Sequence, residues 1–293
     1  MSFKKKLRKK GREWLTQHPK LNPYKILRPG FYRAITSPIR TLPDFIIIGA
    51  GKCGTTSLYN YLIQHPGVYP ASWKEIHYFD LFMTGWYRSN FPTIFYKYYI
   101  KKIKKQDFVT GEATPYYLYH PLAAERLVKY IPKIKLIVLL RNPIDRAYSH
   151  YNHTFRNGDE NLSFDDALKN EKNRLQGEKD KILNDENYVS FAQRAYSYIE
   201  RGMYYDQLKI WMNYFPKEQF LILKTEEFQK DVQKCLNQVY KFLGISKYES
   251  TVLKKHNVGK YQEMKPTTRK YLNDIFTNPN KKLNELLGKN FEW

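Results

Sequence analysis

The residues with the clearest capacity for chemistry lie in one short loop, Gly49-Ala50-Gly51-Lys52-Cys53-Gly54-Thr55-Thr56-Ser57. Its three glycines let the backbone approach a ligand closely, and Lys52 and three hydroxyl groups add hydrogen-bond donors. Backbone N–H groups at the start of a helix also attract anions. The loop therefore predicts a binding site for a phosphate or a related anion.

The spacing of this loop differs from that of the nucleotide-hydrolysing P-loop. That motif reads G-x-x-x-x-G-K-[ST], and its lysine stands beside the hydroxyl that holds magnesium. Here Lys52 comes two residues before Gly54, and three hydroxyl residues follow Gly54. We therefore expect related anion binding with different chemistry. The structural alternative is a tight glycine turn that binds no ligand.

A second group of candidate residues lies in segment 141–153, RNPIDRAYSHYNH. Arg141 follows an apolar run, Pro143 suits the first turn of a helix, and Ser149 lies further along that helix. An arginine at a strand end and a serine on the next helix can make charge-assisted hydrogen bonds to a phosphate monoester. The alternative is a structural pair between Arg141 and Asp145.

The elements that must position these residues are an alternating series of strands and helices. Five short segments are predicted as strands, with the clearest apolar runs at Phe45–Ile48 and Leu136–Leu140; the other three are Gly67–Pro70, Phe108–Glu112 and Phe220–Leu223. Helical patterns are predicted from Thr55 and over Gly85–Tyr99, Pro121–Tyr130, Phe164–Lys172, Gly202–Trp211, Val232–Leu243, Thr267–Phe276 and Asn280–Leu287. This alternation predicts an α/β fold with a doubly wound, mainly parallel sheet flanked by helices.

Ligands of such a sheet bind outside the carboxyl ends of its strands. The loop 49–56 follows one strand, Glu75 and His77 follow a second, the segment 112–115 a third and Arg141 a fourth. We therefore expect these residues to converge on one site.

Composition sets limits on the class of protein. The 293 residues are enough to bury a full core, and two cysteines, Cys53 and Cys235, are too few for a disulfide framework or a zinc site. No apolar run approaches the length of a membrane span, and the N-terminus lacks the apolar stretch of a secretory signal. We expect a cytoplasmic protein, and peripheral contact with a membrane is an alternative.

The net charge of +22 is unevenly distributed along the chain. The first 43 residues contain 12 lysines and arginines and one acidic residue, Glu13, so they carry half of the net charge. We predict a basic N-terminal arm over residues 1–43 and one domain over residues 44–293. Residues 1–15 could lie on an anionic membrane or form a solvated tail.

With these motifs in place, the chain resembles the sulfotransferases that depend on 3′-phosphoadenosine 5′-phosphosulfate (PAPS). The similarity is greatest to the carbohydrate branch, which includes the heparan sulfate N- and 3-O-sulfotransferases. The resemblance spans about residues 44–293 and rests on five segments in family order: IIIGAGKCGTTSL, KEIHYFD, LIVLLRNPIDRAYSHY, GMYYDQLKIW and NPNKKLNELLGKNFEW. It implies a P-loop-like sulfotransferase fold, PAPS as the donor and no metal.

The resemblance also implies roles for individual residues. Lys52, Gly54, Thr55, Thr56 and Ser57 would hold the 5′-phosphosulfate, Arg141 and Ser149 the 3′-phosphate, and Gly259 and Lys260 would belong to a late loop over the donor. Glu75 matches the general base of the family. His77 and Asp80 match residues that line its acceptor site, and Trp73, Tyr78 and Trp86 are candidates for stacking on sugar rings.

Sulfuryl transfer also accounts for these residue types in chemical terms. It needs in-line positioning, positive charge on the leaving oxygen, which Lys52 can supply, and removal of a proton from the nucleophile. Glu75 can take that proton if burial raises its pKa towards neutrality, with His77 as helper or substitute base. Structural alternatives are a pair between Glu75 and a lysine, a satisfied packing role for His77 and a helix-capping role for Asp80.

The sequence departs from the heparan enzymes at Ala113, where they often carry a basic residue in E-K-T-P. The missing cation weakens the expectation of a sulfated polymer as acceptor, and a carbohydrate or glycolipid acceptor is predicted more broadly. Two other classes remain open, a P-loop-like nucleotide kinase and a non-catalytic basic binder of membranes or nucleic acid. An anionic donor explains part of the positive charge, so no nucleic-acid partner is expected.

Overall fold

The structure is a computed structural model that describes residues 31–81, 86–250 and 262–293. Most of the predicted basic arm, and Gly259 and Lys260, lie outside these residues. The described chain forms two compact units. The sheet unit comprises residues 31–81, 86–141 and 211–250, and the helical unit comprises residues 142–210 and 262–293.

The sheet unit contains five parallel strands, as predicted from the apolar runs. They are β1 (Phe45–Gly49), β2 (Val68–Pro70), β3 (Val109–Ala113), β4 (Lys135–Leu140) and β5 (Phe220–Lys224). Their order in the sheet is β2-β3-β1-β4-β5, so the chain winds to one side of β1 and then to the other. The predicted doubly wound α/β fold is confirmed. Its switch point is at β1, where such sheets bind ligands.

The central strands β1 and β4 are nearly continuous apolar runs, because both faces of the sheet are covered there. Every residue of β1 and β3 is buried. Gly111 of β3 pairs with Phe45 of β1, and a Cβ atom at Gly111 would lie 2.5 Å from the Phe45 carbonyl oxygen. Only glycine therefore fits at this point of closest approach between the two strands.

Helices flank the sheet within this unit. They are α1 (Phe31–Ile35), α2 (Thr55–Leu62), α3 (Ile94–Tyr98), α4 (Ala123–Tyr130), α10 (Thr225–Lys230) and α11 (Val232–Leu243). Helix α11 ends at Gly244 in the left-handed conformation, as its sequence predicts. The predicted helix over Gly85–Tyr99 is only partly formed. A 3₁₀ turn spans Tyr87–Asn90, and α3 continues as a π-helical turn over Tyr99–Ile103.

The helical unit is built from α5 (Pro143–Asn157), α6 (Phe164–Leu175), α7 (Glu178–Asn184), α8 (Phe191–Tyr196), the first residues of α9 (Tyr204–Met212) and α12 (Pro266–Leu287). Its core gathers Ile144 and Ala147 of α5, Leu168 of α6 and Phe276 of α12. The sequence predicted two helices after residue 266, and this prediction is wrong, because α12 continues through Pro279. Buried residues before and after the proline lie on one helix and hold it together.

Candidate active site

The loop after β1 lies at the centre of the sheet edge, because β1 pairs with β3 on one side and β4 on the other. Gly54 is the N-cap of α2 and has a φ of 89°. Lys52 has a φ of 72°, a left-handed conformation that is unfavourable for a residue with a side chain. Such strained residues cluster at functional sites in proteins.

Neighbouring strands hold the backbone of this loop. The amide of Ala50 donates to the carbonyl oxygen of Leu139 in β4, at 2.8 Å. The Thr225 hydroxyl, at the start of α10, donates to the carbonyl oxygen of Cys53 at 2.8 Å. Arg141 donates from Nη1 to the carbonyl oxygen of Lys52, at 3.5 Å. The loop is thus fixed from the side of β4 and β5.

Arg141 follows β4 directly, as the sequence predicted, and its side chain reaches the loop that carries Lys52. The side chain of Arg141 and the backbone of Lys52, which follow separate strands, therefore meet at the sheet edge. Thr55, Thr56 and Ser57 form the first turn of α2 beside them. Together these residues supply positive charge, hydroxyl donors and a helix N-terminus, a combination suited to anions.

The segment after β2 brings three acid–base groups together. His77 Nε2 lies 3.6 Å from Glu75 Oε2, and His77 Nδ1 lies 2.8 Å from Asp80 Oδ2. A carboxylate only accepts hydrogen bonds, so His77 Nδ1 is the donor to the buried Asp80. Glu75 and His77 both have left-handed backbone, with φ values of 61° and 57°. The amide of Glu75 donates a hydrogen bond to the carbonyl oxygen of Ala113, at a distance of 2.9 Å. This bond ties the segment to the end of β3.

The pKa of Glu75 differs from the sequence-based expectation. Burial favours a higher pKa, but the nearby His77 ring and the charge of Lys74, whose Nζ lies 2.6 Å from Oε1, outweigh it and lower the pKa of Glu75 to about 2. Because 43% of the side chain is exposed, water also screens these charges. The expected rise towards neutrality is therefore wrong, and Glu75 is ionised at neutral pH.

A buried glutamate lies next to this segment; the sequence placed it at this edge of the sheet but assigned it no role. Glu112 in β3 accepts hydrogen bonds from Tyr87 at 2.8 Å, Tyr117 at 3.3 Å and Thr114 at 2.6 Å. Tyr117 in turn accepts the amide of Tyr78 at 2.9 Å, one residue after His77. Burial raises the pKa of Glu112 to about 7. Glu112 thus supports the backbone that carries the acid–base groups.

The remaining predicted residues occupy varied positions. Trp73 and Trp86 are 44% and 46% exposed, so both present ring surface to solvent. Tyr78 is half-buried and lies near Tyr87, with ring centroids 4.8 Å apart. Ser149 belongs to the helical unit, where it is half-buried on α5.

Two further features concern the described residues as a whole. Across residues 31–81, 86–250 and 262–293, no group of three or more His, Cys, Asp or Glu side chains is placed to hold a metal ion. Among the helices of those same ranges, none combines the length and the apolar character needed to cross a membrane.

The parallel sheet, with a loop suited to anion binding at its switch point, defines an α/β protein of the P-loop-like class. A family profile described as "Sulfotransferase domain" matches residues 42–284. The chain therefore belongs to the sulfotransferase family, and the resemblance seen in the motifs is confirmed.

Named relatives agree with this assignment. "Membrane-associated sulfotransferase kil1" of Dictyostelium discoideum is 26% identical, over all of this chain and 72% of that protein. "Bifunctional heparan sulfate N-deacetylase/N-sulfotransferase 1" of Caenorhabditis elegans is 26% identical over 86% of this chain. The chain spans only about 30% of the length of that protein. The crystal structure of a sulfotransferase from Alicyclobacillus acidocaldarius has a TM-score of 0.66 and 29% identity, over 85% of this chain and 97% of that one.

Proposed function

We propose that this sulfotransferase transfers a sulfuryl group from PAPS to a hydroxyl or amine of a carbohydrate or glycolipid acceptor. The observation that carries the proposal is the common position of Lys52 and Arg141 on the sheet edge, at the N-terminus of α2. The names of several relatives, which specify heparan sulfate N-sulfotransferases, support a carbohydrate acceptor.

The donor fits the residues present at this edge. Lys52, Gly54, Thr55, Thr56 and Ser57 would hold the 5′-phosphosulfate, because they combine backbone amides, hydroxyls and a cation at a helix start. Arg141 and Ser149 would hold the 3′-phosphate, with Gly259 and Lys260 closing over the donor. The donor supplies an activated sulfuryl group; the chain supplies charge and alignment.

The proposed reaction is one in-line displacement. The acceptor oxygen or nitrogen forms a bond to sulfur, while the bond between sulfur and the bridging oxygen of the 5′-phosphate breaks. The electron pair stays on that oxygen, where Lys52 stabilises the charge. The proton of the acceptor passes to Glu75, and adenosine 3′,5′-bisphosphate leaves.

Glu75 is suited to this role because it is ionised, although its low pKa makes it a weak base. His77 compensates in its neutral form, in which Nδ1 carries the proton and Nε2, 3.6 Å from Glu75 Oε2, is available to accept the one that Glu75 takes up. Asp80 fixes the ring through Nδ1. We therefore propose that Glu75 and His77 act together, with Asp80 as a positioning residue. Trp73 and Trp86 would provide stacking surfaces for the acceptor.

A transfer assay tests the proposal. Purified protein is incubated with labelled PAPS and a panel of glycans and glycolipids, and sulfated products are separated. Glu75→Gln should lower turnover by roughly 10²-fold or more and leave donor binding intact. The matched control is Glu125→Gln, since Glu125 forms an exposed pair with Lys129 on α4.

The outcomes separate the parts of the proposal. Donor binding without transfer to any acceptor of a broad panel would contradict the carbohydrate assignment. Equal turnover of wild type and Glu75→Gln would remove Glu75 from the proton-transfer role. Loss of donor binding in Glu75→Gln would show a role in the donor site instead.

A further inference from the structure

An exposed aromatic and basic surface lies on the sheet unit, within residues 94–105. We call these residues the aromatic-basic segment; they comprise α3, the π-helical turn and the two lysines after it. Large apolar side chains on a monomeric surface are usually scattered, and a contiguous group marks a contact site. In this segment Phe95, Tyr98 and Ile103 are 69%, 61% and 64% exposed.

Several exposed apolar side chains of the segment are grouped by helical spacing. Residues four apart lie on the same side of a helix, which groups Ile94 with Tyr98 and Phe95 with Tyr99. All four are exposed. The opposite side is attached to the protein through Ile100, which is buried. Most of the large apolar side chains of the segment are thus exposed to solvent rather than packed against the protein.

The inner side of the segment is held firmly, so the outward face is a fixed feature. Lys97 Nζ lies 2.9 Å from Asp44 Oδ1 and 5.5 Å from the ring centroid of Phe108. Tyr96, itself 44% exposed, meets Tyr69 edge-on, with ring centroids 5.4 Å apart. The Thr93 hydroxyl accepts the amide of Tyr96 and caps the start of α3.

Exposed lysines accompany the apolar face. Lys101, Lys102, Lys104 and Lys105 are all exposed, and Lys104 Nζ lies 5.5 Å from the ring centroid of Tyr99. Each lysine near an anionic bilayer contributes electrostatic attraction, while aromatic rings favour the headgroup region. The combination of inserted rings and flanking lysines is typical of interfacial helices.

From these features we propose that the aromatic-basic segment binds the surface of an anionic lipid membrane. The isoleucines favour a bilayer over a polysaccharide, because only the acyl region offers aliphatic partners for Ile94 and Ile103. The charge argues against a second copy of the chain, since four lysines on each copy and a net charge of +22 would repel. This inference does not depend on the proposed donor or acceptor.

Vesicle binding by the full chain tests the inference. Wild type should sediment with phosphatidylcholine vesicles that contain phosphatidylserine, and far less with pure phosphatidylcholine. The triple variant Phe95→Ser/Tyr98→Ser/Ile103→Ser should bind the anionic vesicles at least about tenfold more weakly. All three side chains are exposed, so the variant should fold, which equal donor binding and thermal midpoint would verify.

A matched variant controls for general loss of apolar surface. Phe155→Ser/Tyr271→Ser removes two side chains that are 51% and 48% exposed in the helical unit, and should bind vesicles as wild type does. The same vesicle affinity for the triple variant and wild type would overturn the proposal, because the basic arm would then account for all binding. Absence of wild-type binding to anionic vesicles would also overturn it.

Insertion of the face itself can be measured. Both native cysteines are buried, so Phe95→Cys labelled with an environment-sensitive dye reports on this position alone. The emission should shift to the blue with anionic vesicles, and the same dye at Phe155→Cys should not respond. A triple variant that loses self-association or heparin binding, with vesicle affinity unchanged, would assign the face to a second copy or a polysaccharide and overturn the proposal.

Discussion

Two glutamates close to one sheet edge experience opposite electrostatic environments. His77 and Lys74 lower the pKa of Glu75 to about 2 against the effect of burial, and burial raises the pKa of Glu112 to about 7. Carboxylates with separated pKa values have distinct roles. The side chain of Glu75 is 43% exposed, whereas Glu112 is fully buried and is linked to the segment of His77 through Tyr117.

The raised pKa of Glu112 predicts a specific dependence of stability on pH. Between its ordinary pKa of 4.5 and about 7, the folded state holds a proton that the unfolded chain has lost. The contribution of Glu112 to the free energy of unfolding is therefore complete below pH 4.5 and falls as pH rises through 7. In Glu112→Gln this dependence disappears. Relative to the variant, wild type should lose at most about 3 kcal/mol between these limits.

Urea unfolding of wild type and Glu112→Gln at a series of pH values measures this difference. Glu125→Gln, on the surface of α4, should show no comparable trend against wild type. A constant difference between wild type and Glu112→Gln across the range would mean that Glu112 keeps an ordinary pKa in the folded protein.

At the scale of elements, the strands were predictable because short segments rich in apolar and β-branched residues, such as Phe45–Ile48 and Leu136–Leu140, are typical of buried strands. All five strands were found with nearly the predicted bounds. The C-terminal helix was not, because Pro279 reads as a helix breaker. In the structure Phe276 and Leu283 are both buried and hold the helix on either side of the proline. Tertiary packing outweighed the local signal.

The contact between β1 and β3 predicts a large effect of a small change. Gly111→Ala would place a methyl group 2.5 Å from the Phe45 carbonyl oxygen, within a pair of bonded strands. Backbone cannot yield as a flexible side chain can, so we expect a loss of about 2–4 kcal/mol in the free energy of unfolding.

Gly177→Ala is the control for backbone conformation. Gly177 has a φ of 71° and open space around its Cβ position, so its substitution should cost only about 1 kcal/mol. Denaturant unfolding of the two variants compares the costs. Similar values would show that the strands separate easily to admit the methyl group.

At the scale of the whole molecule, the sequence indicated the sulfotransferase family and the edge of the sheet where Lys52 and Arg141 meet. It did not reveal the link from Glu112 through Tyr117 to the segment that carries His77, because hydrogen bonds between distant residues leave no local pattern. It also missed the low pKa of Glu75. That value results from the positions of His77 and Lys74 around the carboxylate, which the residue types alone do not predict.

The net charge of +22 predicts how the chain meets an anionic donor. A field of this sign should steer the proposed donor, PAPS, towards the protein, and salt should screen that field. We expect the association rate to fall about tenfold or more between about 0.02 and about 0.5 M NaCl, measured by stopped flow. Adenosine, which is uncharged, should bind with little dependence on salt. An association rate of the donor that does not change with ionic strength would show that only short-range contacts contribute to its binding.

The hydroxyl of Thr225 affects anion recognition indirectly, through the backbone of the loop after β1. The carbonyl of Cys53, which it binds, shares one planar peptide unit with the amide of Gly54, so the two point in opposite directions. Thr225 therefore determines where that amide is aimed, although it stands 172 positions along the chain from Cys53. Thr225→Val would keep the size of the side chain but remove the hydrogen bond, so that the peptide unit could rotate. Selectivity among anions would then depend on a residue that does not itself contact the anion.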